Sequence, residues 1–296
     1  MPAPITPFVT LQHTLASPIA FDGIGLHSGL PVHLLLRPAE ADTGICFVRT
    51  DISGRTNKIK ANAAQVIDTR RGTSLGNSEG VQISTVEHLL AALLAHNIDN
   101  VQIEVDSHEI PTLDGCSANF SEKLQQTGLL RQANLRKFIK VIKPIKVQSG
   151  ASYGELTPSD RFEIDLGISY ENPLIGDMTY SFDVTQNGFS KEIAPARTFA
   201  LRNEVDELQR AGYGTGGDLS NCIVVGEDRI ENEEGLRFAD EFVRHKILDA
   251  IGDLSLVGGF LLGRYRVRRA GHKINYLVVD ALLKDPMAWE YVCFDG

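Results

Sequence analysis

Apolar residues in the stretch from Phe242 to Leu254 recur at the spacing of one face of an α-helix. These apolar positions are Val243, Ile247, Ala250, Ile251 and Leu254. Three polar residues spaced four apart, His245, Asp249 and Asp253, occupy a second face of the predicted helix. Side chains at i and i+4 have Cβ atoms about 5–6 Å apart, so His245 and Asp249 could bind one metal ion. The alternative is a solvated polar face, and this stretch alone leaves both interpretations open.

A second helix is predicted from Ser84 to Asn97, where leucine and alanine dominate. It is apolar nearly all round and should be buried between layers. Ser84 and Glu87 fit a capping box at its start, and Asn97 fits a left-handed stop at its end. Glu87 and His88 allow two interpretations. They could be a helix cap beside a polar core residue, or a general base beside a metal ligand that the helix N-terminus keeps neutral.

The remaining pattern mixes short strands and helices without strict alternation, which favours an α+β fold over a doubly wound parallel sheet. Strands are predicted at 32–36, 45–48, 101–105, 138–147, 162–170, 222–225 and 274–283, and shorter helices at 117–127 and 203–211. The segment 130–136 has few core residues and separates two halves of similar size. We therefore expect a first domain at 1–130 and a second at 137–296, the latter with an insert at about 198–232.

Composition narrows the possible functions. The 296 residues are 43% hydrophobic and 23% charged, as in soluble globular proteins. The net charge of −9 argues against a nucleic-acid binder, but local lysines and arginines could bind an anionic small molecule. No run approaches the roughly 18 apolar residues of a membrane span, and the first residues lack the features of a signal peptide. We therefore expect no integral membrane contact. The four cysteines form no C-x-x-C pair, so neither a thiolate zinc site nor a disulfide framework is indicated, and we expect a cytoplasmic protein.

The polar residues of the two helices suggest a catalytic metal site. Such a zinc site needs three protein ligands and one open position for water. His88, His245 and Asp249 would be the ligands, and the metal would lower the pKa of its bound water to about 7. Glu87 would be the general base beside this water, and His272, in a predicted turn, is the candidate general acid for the leaving amine.

Three further residues complete this hypothesis. Asp253 would hold the ring of His272 and raise its pKa, while Thr198 and Lys246 would stabilise the oxyanion. The chain has no G-x-S-x-G nucleophile elbow, so nucleophilic serine catalysis lacks support. His27, in a glycine-rich loop, is expected to make only a structural hydrogen bond.

Nine stretches of the chain carry a resemblance to one family. They are 23–29, 83–90, 98–100, 109–111, 113–115, 196–199, 234–237, 242–254 and 271–272. The most specific are Thr-Val-Glu-His-Leu from Thr85 and Val-Arg-His-Lys-x-x-Asp-Ala-x-Gly-Asp from Val243. Through them the chain resembles the UDP-3-O-acyl-N-acetylglucosamine deacetylases, zinc amidases of the committed step of lipid A biosynthesis. The resemblance implies two similar α+β domains, each a mainly antiparallel sheet with paired helices and a small insert, the helices sandwiched between the sheets.

The same resemblance implies roles for individual residues. His88, His245 and Asp249 would hold Zn²⁺, while Glu87 and His272 would be base and acid. Imidazole and carboxylate ligands also accept Fe²⁺, so the sequence leaves the native metal open. The supporting residues would be Asp253, Lys246 and Thr198 at the reaction centre, Phe199 on the sugar side, and Leu201, Val205, Cys222 and Val224 along an acyl-chain passage in the insert. The bottom-up interpretation of the last four is ordinary core packing.

The implied substrate is a UDP-linked 3-O-acylated N-acetylglucosamine, converted to UDP-3-O-acyl-glucosamine and acetate by a monomer. Two alternatives stay open. The chain could be an amidase of the same scaffold for another acylated amino sugar. It could also be a non-catalytic binding module whose metal is structural, which would call for four protein ligands.

Overall fold

Two buried helices occupy the centre of the computed structural model, which describes residues 9–294. The helix predicted from Ser84 to Asn97 is present as α1 (Glu87–Ala95), and all of its residues are buried. The helix predicted from Phe242 to Leu254 is present as α5 (Glu241–Ser255). The two pack directly against each other. Burial of α1 follows from its apolar residues, which lie nearly all round the helix, whereas α5 buries polar residues of one face together with its apolar face.

The described residues contain six α-helices. They are α1, α2 (Ala118–Thr127), α3 (Gln186–Gly188), α4 (Arg202–Arg210), α5 and α6 (His272–Lys284), with a 3₁₀ turn at Ala63–Gln65 and a π-helical turn at Phe189–Ile193. The helices predicted at 117–127 and 203–211 are confirmed as α2 and α4. Within this described part of the chain, no helix combines the length and apolar character that crossing a membrane requires.

The strand predicted at 274–283 is wrong, because this segment forms α6. Its buried residues Ile274, Val278 and Leu282 recur every four residues and line one face of the helix. We predicted a strand because this segment contains isoleucine and valine, and β-branched residues are enriched in sheets. As a result, His272 is the first residue of a helix rather than a turn residue.

A five-stranded sheet forms the first half of the chain. Its strands are β2 (Ile19–Ile24), β3 (Pro31–Pro38), β4 (Ile45–Arg49), β5 (Lys58–Lys60) and β9 (Val101–Val105), in the order β2-β3-β9-β4-β5. Neighbours are antiparallel except β4 and β9. Along β9 buried and partly buried residues alternate, so one face of the sheet is directed to the core. Helix α2 packs against β2 and α1.

A seven-stranded sheet forms the second half. Its strands are β11 (Phe138–Val141), β12 (Ile145–Ser149), β13 (Ser152–Thr157), β14 (Phe162–Ser169), β15 (Asp177–Asp183), β18 (Phe260–Arg268) and β19 (Trp289–Val292). Strand β18 is central: it is parallel to β11 and β14 and antiparallel to β13. The strand predicted at 138–147 is divided into β11 and β12 around Pro144, which has no N–H for a sheet ladder. Helix α5 packs against β14, β15 and β18, and α6 against β12 and β13.

Three small sheets complete the described fold. They are β1 (Leu11–Leu15) with β10 (Leu129–Leu135), β6 (Val66–Asp68) with β7 (Ser74–Gly76) and β8 (Gln82–Ile83), and β16 (Phe199–Leu201) with β17 (Ile223–Val225). The layers therefore run from the five-stranded sheet through α1 and α2, then α5 and α6, to the seven-stranded sheet. This confirms the α+β prediction, with helices between two mainly antiparallel sheets. Most of the expected boundary segment 130–136 is strand β10; the division into domains there stays a prediction.

The capping box predicted for α1 is wrong. Val86 is the N-cap residue, and no side chain among the described residues caps this helix. Thr85 has a φ of 58°, so the chain turns sharply before the helix begins. The carboxylate of Glu87 consequently does not bond back to Ser84. It accepts a hydrogen bond from the backbone N–H of Thr73 instead, at 2.9 Å.

Helices α1 and α5 cross at Gly252 so closely that main chain meets main chain. A Cβ atom built on Gly252 would overlap the carbonyl oxygen of Glu87 and lie 2.9 Å from its Cα. Only glycine therefore permits this crossing distance. The crossing brings the first residues of α1 level with the polar face of α5, which carries Asp249 one turn away from the contact.

We predict that Gly252→Ala destabilises the protein. Alanine is about 1 kcal/mol more favourable than glycine inside a helix, but the added methyl must separate α1 from α5. Overpacking of this kind costs about 1–3 kcal/mol or more, so a net decrease in the free energy of unfolding is expected in urea titrations. Gly271→Ala is the matched control, because a Cβ there meets no atom within 4 Å. A Gly252→Ala protein as stable as the wild type would contradict the proposed tight crossing.

Candidate metal centre and active site

His88, His245 and Asp249 converge where α1 crosses α5. The Nε2 atoms of His245 and His88 lie 3.3 Å and 3.5 Å from Oδ1 of Asp249. The three side chains offer one ligand atom each, all within 4.8 Å of one another. The solvated-face interpretation of α5 is wrong, because Asp249 and His245 are each 1% exposed.

This donor set fits a divalent metal ion such as zinc. Oδ1 of Asp249 is buried and has no hydrogen-bond partner among the described residues, which is costly for a carboxylate unless a cation binds it. The ring of His245 donates from Nδ1 to the carbonyl oxygen of Ala196 at 3.1 Å, and this bond leaves the lone pair of Nε2 directed at Asp249. Burial lowers the pKa of His245 to about 3, so its imidazole is neutral and able to ligate.

Asp249 is held as a carboxylate. Burial alone would raise its pKa, but the surrounding groups of His245, Lys246 and His272 outweigh burial and hold the pKa well below its usual range. Lys246 donates from Nζ to Oδ2 of Asp249 at 2.8 Å. Burial would lower the pKa of Lys246, yet Asp249 raises it, so the ammonium group stays charged at neutral pH.

Glu87 lies beside this cluster with only 3% of its surface exposed. Its Oε1 is 3.9 Å from Nε2 of His272, and its Oε2 accepts the hydrogen bond from Thr73. A Cβ atom on Gly72 would lie 2.7 Å from Oε1, so glycine leaves room for the carboxylate. Burial raises the pKa of Glu87, which moves it toward the range suited to a general base near neutral pH.

Asp253 holds His272 through a buried network. Nδ1 of His272 lies 2.9 Å from Oδ2 of Asp253. The same carboxylate accepts hydrogen bonds from Asn275 Nδ2 at 2.8 Å and Thr73 Oγ1 at 2.5 Å. Burial alone would lower the pKa of His272, but the charges of Asp253 and Asp249 raise it to about 9. His272 is therefore protonated at neutral pH, with Nε2 directed toward Glu87 and 3.8 Å from Asp249 Oδ2.

Thr198 and Phe199 border the same site. Thr198 donates its backbone N–H to the carbonyl oxygen of Gly115 at 2.8 Å, which ties the second half of the chain to the first. The ring of Phe199 lies 5.4 Å from Nζ of Lys246 and 6.2 Å, edge to face, from the ring of His245. Both contacts keep Phe199 at the wall of the site.

One cavity of about 430 Å³ opens onto most of these residues. Its lining includes Glu87, His88, Thr198, Phe199, His245, Lys246, Asp249 and His272, together with Val205, Cys222 and Val224 from the predicted insert. Asp253 lies behind His272, outside the lining. Leu201 is also outside the lining and packs against the main core. Its place along an acyl-chain passage stays a prediction.

Two supporting pairs were not predicted from the sequence. Glu241, one turn before His245, accepts hydrogen bonds from the backbone N–H and Nε of Arg197 at 3.0 Å and 2.9 Å. This buried pair fixes the chain next to Ala196, whose carbonyl oxygen holds His245. The helical spacing i−4 could have indicated Glu241. Thr73 had no such signal, because it lies 180 residues from its partner Asp253.

His27 takes the structural role expected of it, with one addition. Its Nε2 lies 3.2 Å from the carbonyl oxygen of Arg71, and its side chain also lines the cavity.

Comparison with known proteins identifies the family. The family model of the UDP-3-O-acyl N-acetylglycosamine deacetylases matches residues 12–284. The chain belongs to this family. It is 46% identical over 286 residues to the UDP-3-O-acyl-N-acetylglucosamine deacetylase of Idiomarina loihiensis, covering 96% of this chain and 93% of that protein. Proteins of the same name from Syntrophotalea carbinolica and Histophilus somni are each 44% identical, covering 95% and 96% of this chain and 90% and 93% of theirs.

We predict that Asp253→Asn lowers the pKa of His272 in the metal-free protein. Removing the carboxylate charge disfavours the imidazolium form, so the pKa should fall from about 9 toward or below the value of about 6.5 for an exposed histidine. NMR titration of labelled histidine measures it. Asp280→Asn is the control, since Asp280 lies on the same helix but pairs with Lys284. An unchanged titration in Asp253→Asn would show that another group holds the proton.

We predict that Glu241→Gln weakens the binding of a divalent metal ion, measured with zinc as the probe. The variant loosens Arg197 and the carbonyl group that orients His245, and such outer-shell changes typically cost about 10–100-fold in metal affinity. Competition with a chelator measures the affinity. Asp99→Asn is the control, because it breaks another buried arginine pair, with Arg136 at 2.7 Å, remote from the site. Equal zinc affinity in both variants would refute the orienting role.

Proposed function

We propose that the protein hydrolyses the N-acetyl amide of UDP-3-O-acyl-N-acetylglucosamine, releasing acetate and UDP-3-O-acyl-glucosamine in lipid A biosynthesis. The relatives' names support this substrate. The observation that carries the proposal is the convergence of two buried histidines and one carboxylate, flanked by a buried glutamate and a protonated histidine.

Zn²⁺ would be held by His88, His245 and Asp249, and Fe²⁺ suits the same imidazole and carboxylate donors. When bound, the ion would supply Lewis-acid activation of the water and of the amide carbonyl group. Three protein ligands leave an open coordination position, as catalytic zinc sites require. This count argues against the binding-module alternative, in which a structural metal would have four protein ligands.

Glu87 would accept a proton from the attacking water as its oxygen bonds to the acetyl carbon. The raised pKa of Glu87 suits this role, because the carboxylate must be a base strong enough to take the proton. The charge that develops on the carbonyl oxygen would be stabilised by the ammonium group of Lys246 and the hydroxyl group of Thr198.

His272 would donate its Nε2 proton to the sugar nitrogen as the carbon–nitrogen bond breaks. Its pKa of about 9 keeps that proton available at neutral pH. Asp253 acts as a positioning residue, because its bond to Nδ1 directs Nε2 into the cavity and stabilises the imidazolium form. Acetate and a free amine are then the products, and the atoms balance with one water consumed.

The cavity suits a substrate that is anionic at one end and apolar at the other. Arg70, Arg71 and Arg202 line it and could neutralise a diphosphate, despite the net charge of −9. Val205 and Leu208 add apolar lining for an acyl chain. An amidase for another acylated amino sugar would use the same ligands, so a panel of nucleotide and acyl analogues is needed to separate the two.

We predict that Glu87→Gln retains zinc but loses activity. Glutamine keeps the acceptor for Thr73 but cannot take a proton, so kcat should fall about 10²–10⁴-fold in a deacetylation assay, with zinc content unchanged by elemental analysis. Glu204→Gln is the control, since Glu204 lines the cavity on the insert but lies outside the acid–base cluster. Near-normal turnover by Glu87→Gln would remove the base assignment.

A further inference from the structure

Glu109 is a buried carboxylate that the proposed reaction does not use. It is 1% exposed and accepts hydrogen bonds from the backbone N–H groups of His27 and Ser28, both at 2.8 Å. The hydroxyl group of Thr85 adds a third, at 3.2 Å. A carboxylate bonded to successive backbone N–H groups fixes the loop that carries them.

The loop from Gly25 to Gly29 is shaped to receive this carboxylate. A Cβ atom on Gly25 would overlap Oε2 of Glu109, so only glycine allows the approach. Gly29 has a φ of 65° and donates its N–H to the carbonyl oxygen of Gly25 at 2.9 Å, closing the turn. The carbonyl oxygens of the loop consequently face away from Glu109.

Those carbonyl oxygens bind the insert of the second half. Gly216 donates its N–H to Leu26 at 3.1 Å, and Thr215 donates its hydroxyl group to His27 at 2.8 Å. A Cβ atom on Gly216 would overlap the carbonyl oxygen of Gly25, so the two main chains are in direct contact. We call the loop 25–29, together with Thr215 and Gly216, the clasp.

The clasp joins two walls of the cavity that come from opposite halves of the chain. Leu26 and His27 line the cavity on the loop side, and Gly214 and Leu219 line it on the insert side. The separation of these walls is thus set by the main-chain bonds of the clasp. The ring of Tyr213, edge to face with His27 at 5.7 Å, adds a side-chain contact at the same point.

We propose that the clasp determines which 3-O-acyl chains the enzyme accepts, an inference that rests on the proposed function. Each methylene group buried against a fixed wall adds to binding, so a displaced wall should matter more for a long chain than for a short one. The acid–base and metal-binding residues do not belong to the clasp. Loosening it should therefore change KM for long-chain substrates and leave kcat nearly unchanged.

The test compares Gly216→Ala with wild type on two substrates, UDP-N-acetylglucosamine with a long or a short 3-O-acyl chain. The added methyl forces the insert away from Gly25, and we expect KM for the long-chain substrate to rise roughly tenfold, with short-chain kinetics and kcat within about twofold. Gly259→Ala is the control, because its Cβ would lie 3.2 Å from the nearest atom and remote from this cavity.

Thr215→Val provides a second variant in case Gly216→Ala fails to fold. It removes the bond to His27 while keeping the side-chain shape, and KM for the long-chain substrate should rise roughly threefold. Thr157→Val, which removes a hydroxyl bond to Arg264 far from the cavity, is its control.

Equal kinetic effects on long-chain and short-chain substrates, or unchanged kinetics in both variants, would overturn the role of the clasp while the deacetylase proposal stands. A wild-type enzyme that hydrolyses neither substrate would instead overturn the proposed function, and the clasp inference with it.

Discussion

The crossing of α1 and α5 at Gly252 is the contact on which the site depends. The carbonyl oxygen of Glu87 packs directly against Gly252, which has no side chain to hold the two helices apart. The start of α1 therefore lies level with the polar face of α5. His88 is the next residue on α1, and Asp249 lies about one turn before Gly252 on α5. Both side chains therefore come from helices at the crossing rather than from loops. Rigid helices thus set the distances among the donor atoms, which is the arrangement that precise catalytic geometry requires.

Burial and neighbouring charges together explain the shifted pKa values at this crossing. Burial is the largest cause of both the raised pKa of Glu87 and the lowered pKa of His245. For His272 the charges of Asp253 and Asp249 outweigh burial and raise the pKa. A divalent cation bound by Asp249 would add positive charge beside Glu87 and favour its carboxylate form.

The two central helices could be predicted for different reasons. The apolar residues of α5 follow the helical period, and α1 is a run of strong helix formers, mainly leucine and alanine. The i+4 spacing on α5 likewise placed His245 and Asp249 together. Helix α6 was missed because branched side chains at Ile274 and Val278 satisfied a strand pattern equally well. The same error hid the role of Asn275, which donates a hydrogen bond to Asp253 from the first turn of α6. The hydrogen bond from Thr73 to Asp253 depends on how distant parts of the chain come together, which local sequence patterns do not indicate.

Glycines also allow the close main-chain contacts that fix the position of one half of the chain against the other. Besides Gly252, a Cβ on Gly115 would overlap the carbonyl oxygen of Asn221, and one on Gly216 would overlap that of Gly25. Contacts between main chains do not depend on rotamers, so they fix separations more narrowly than packed side chains do. A site assembled in this way is ordered before any ligand arrives. The ion would then bind a preformed set of donors, unlike small zinc domains, in which binding must also supply the free energy of folding.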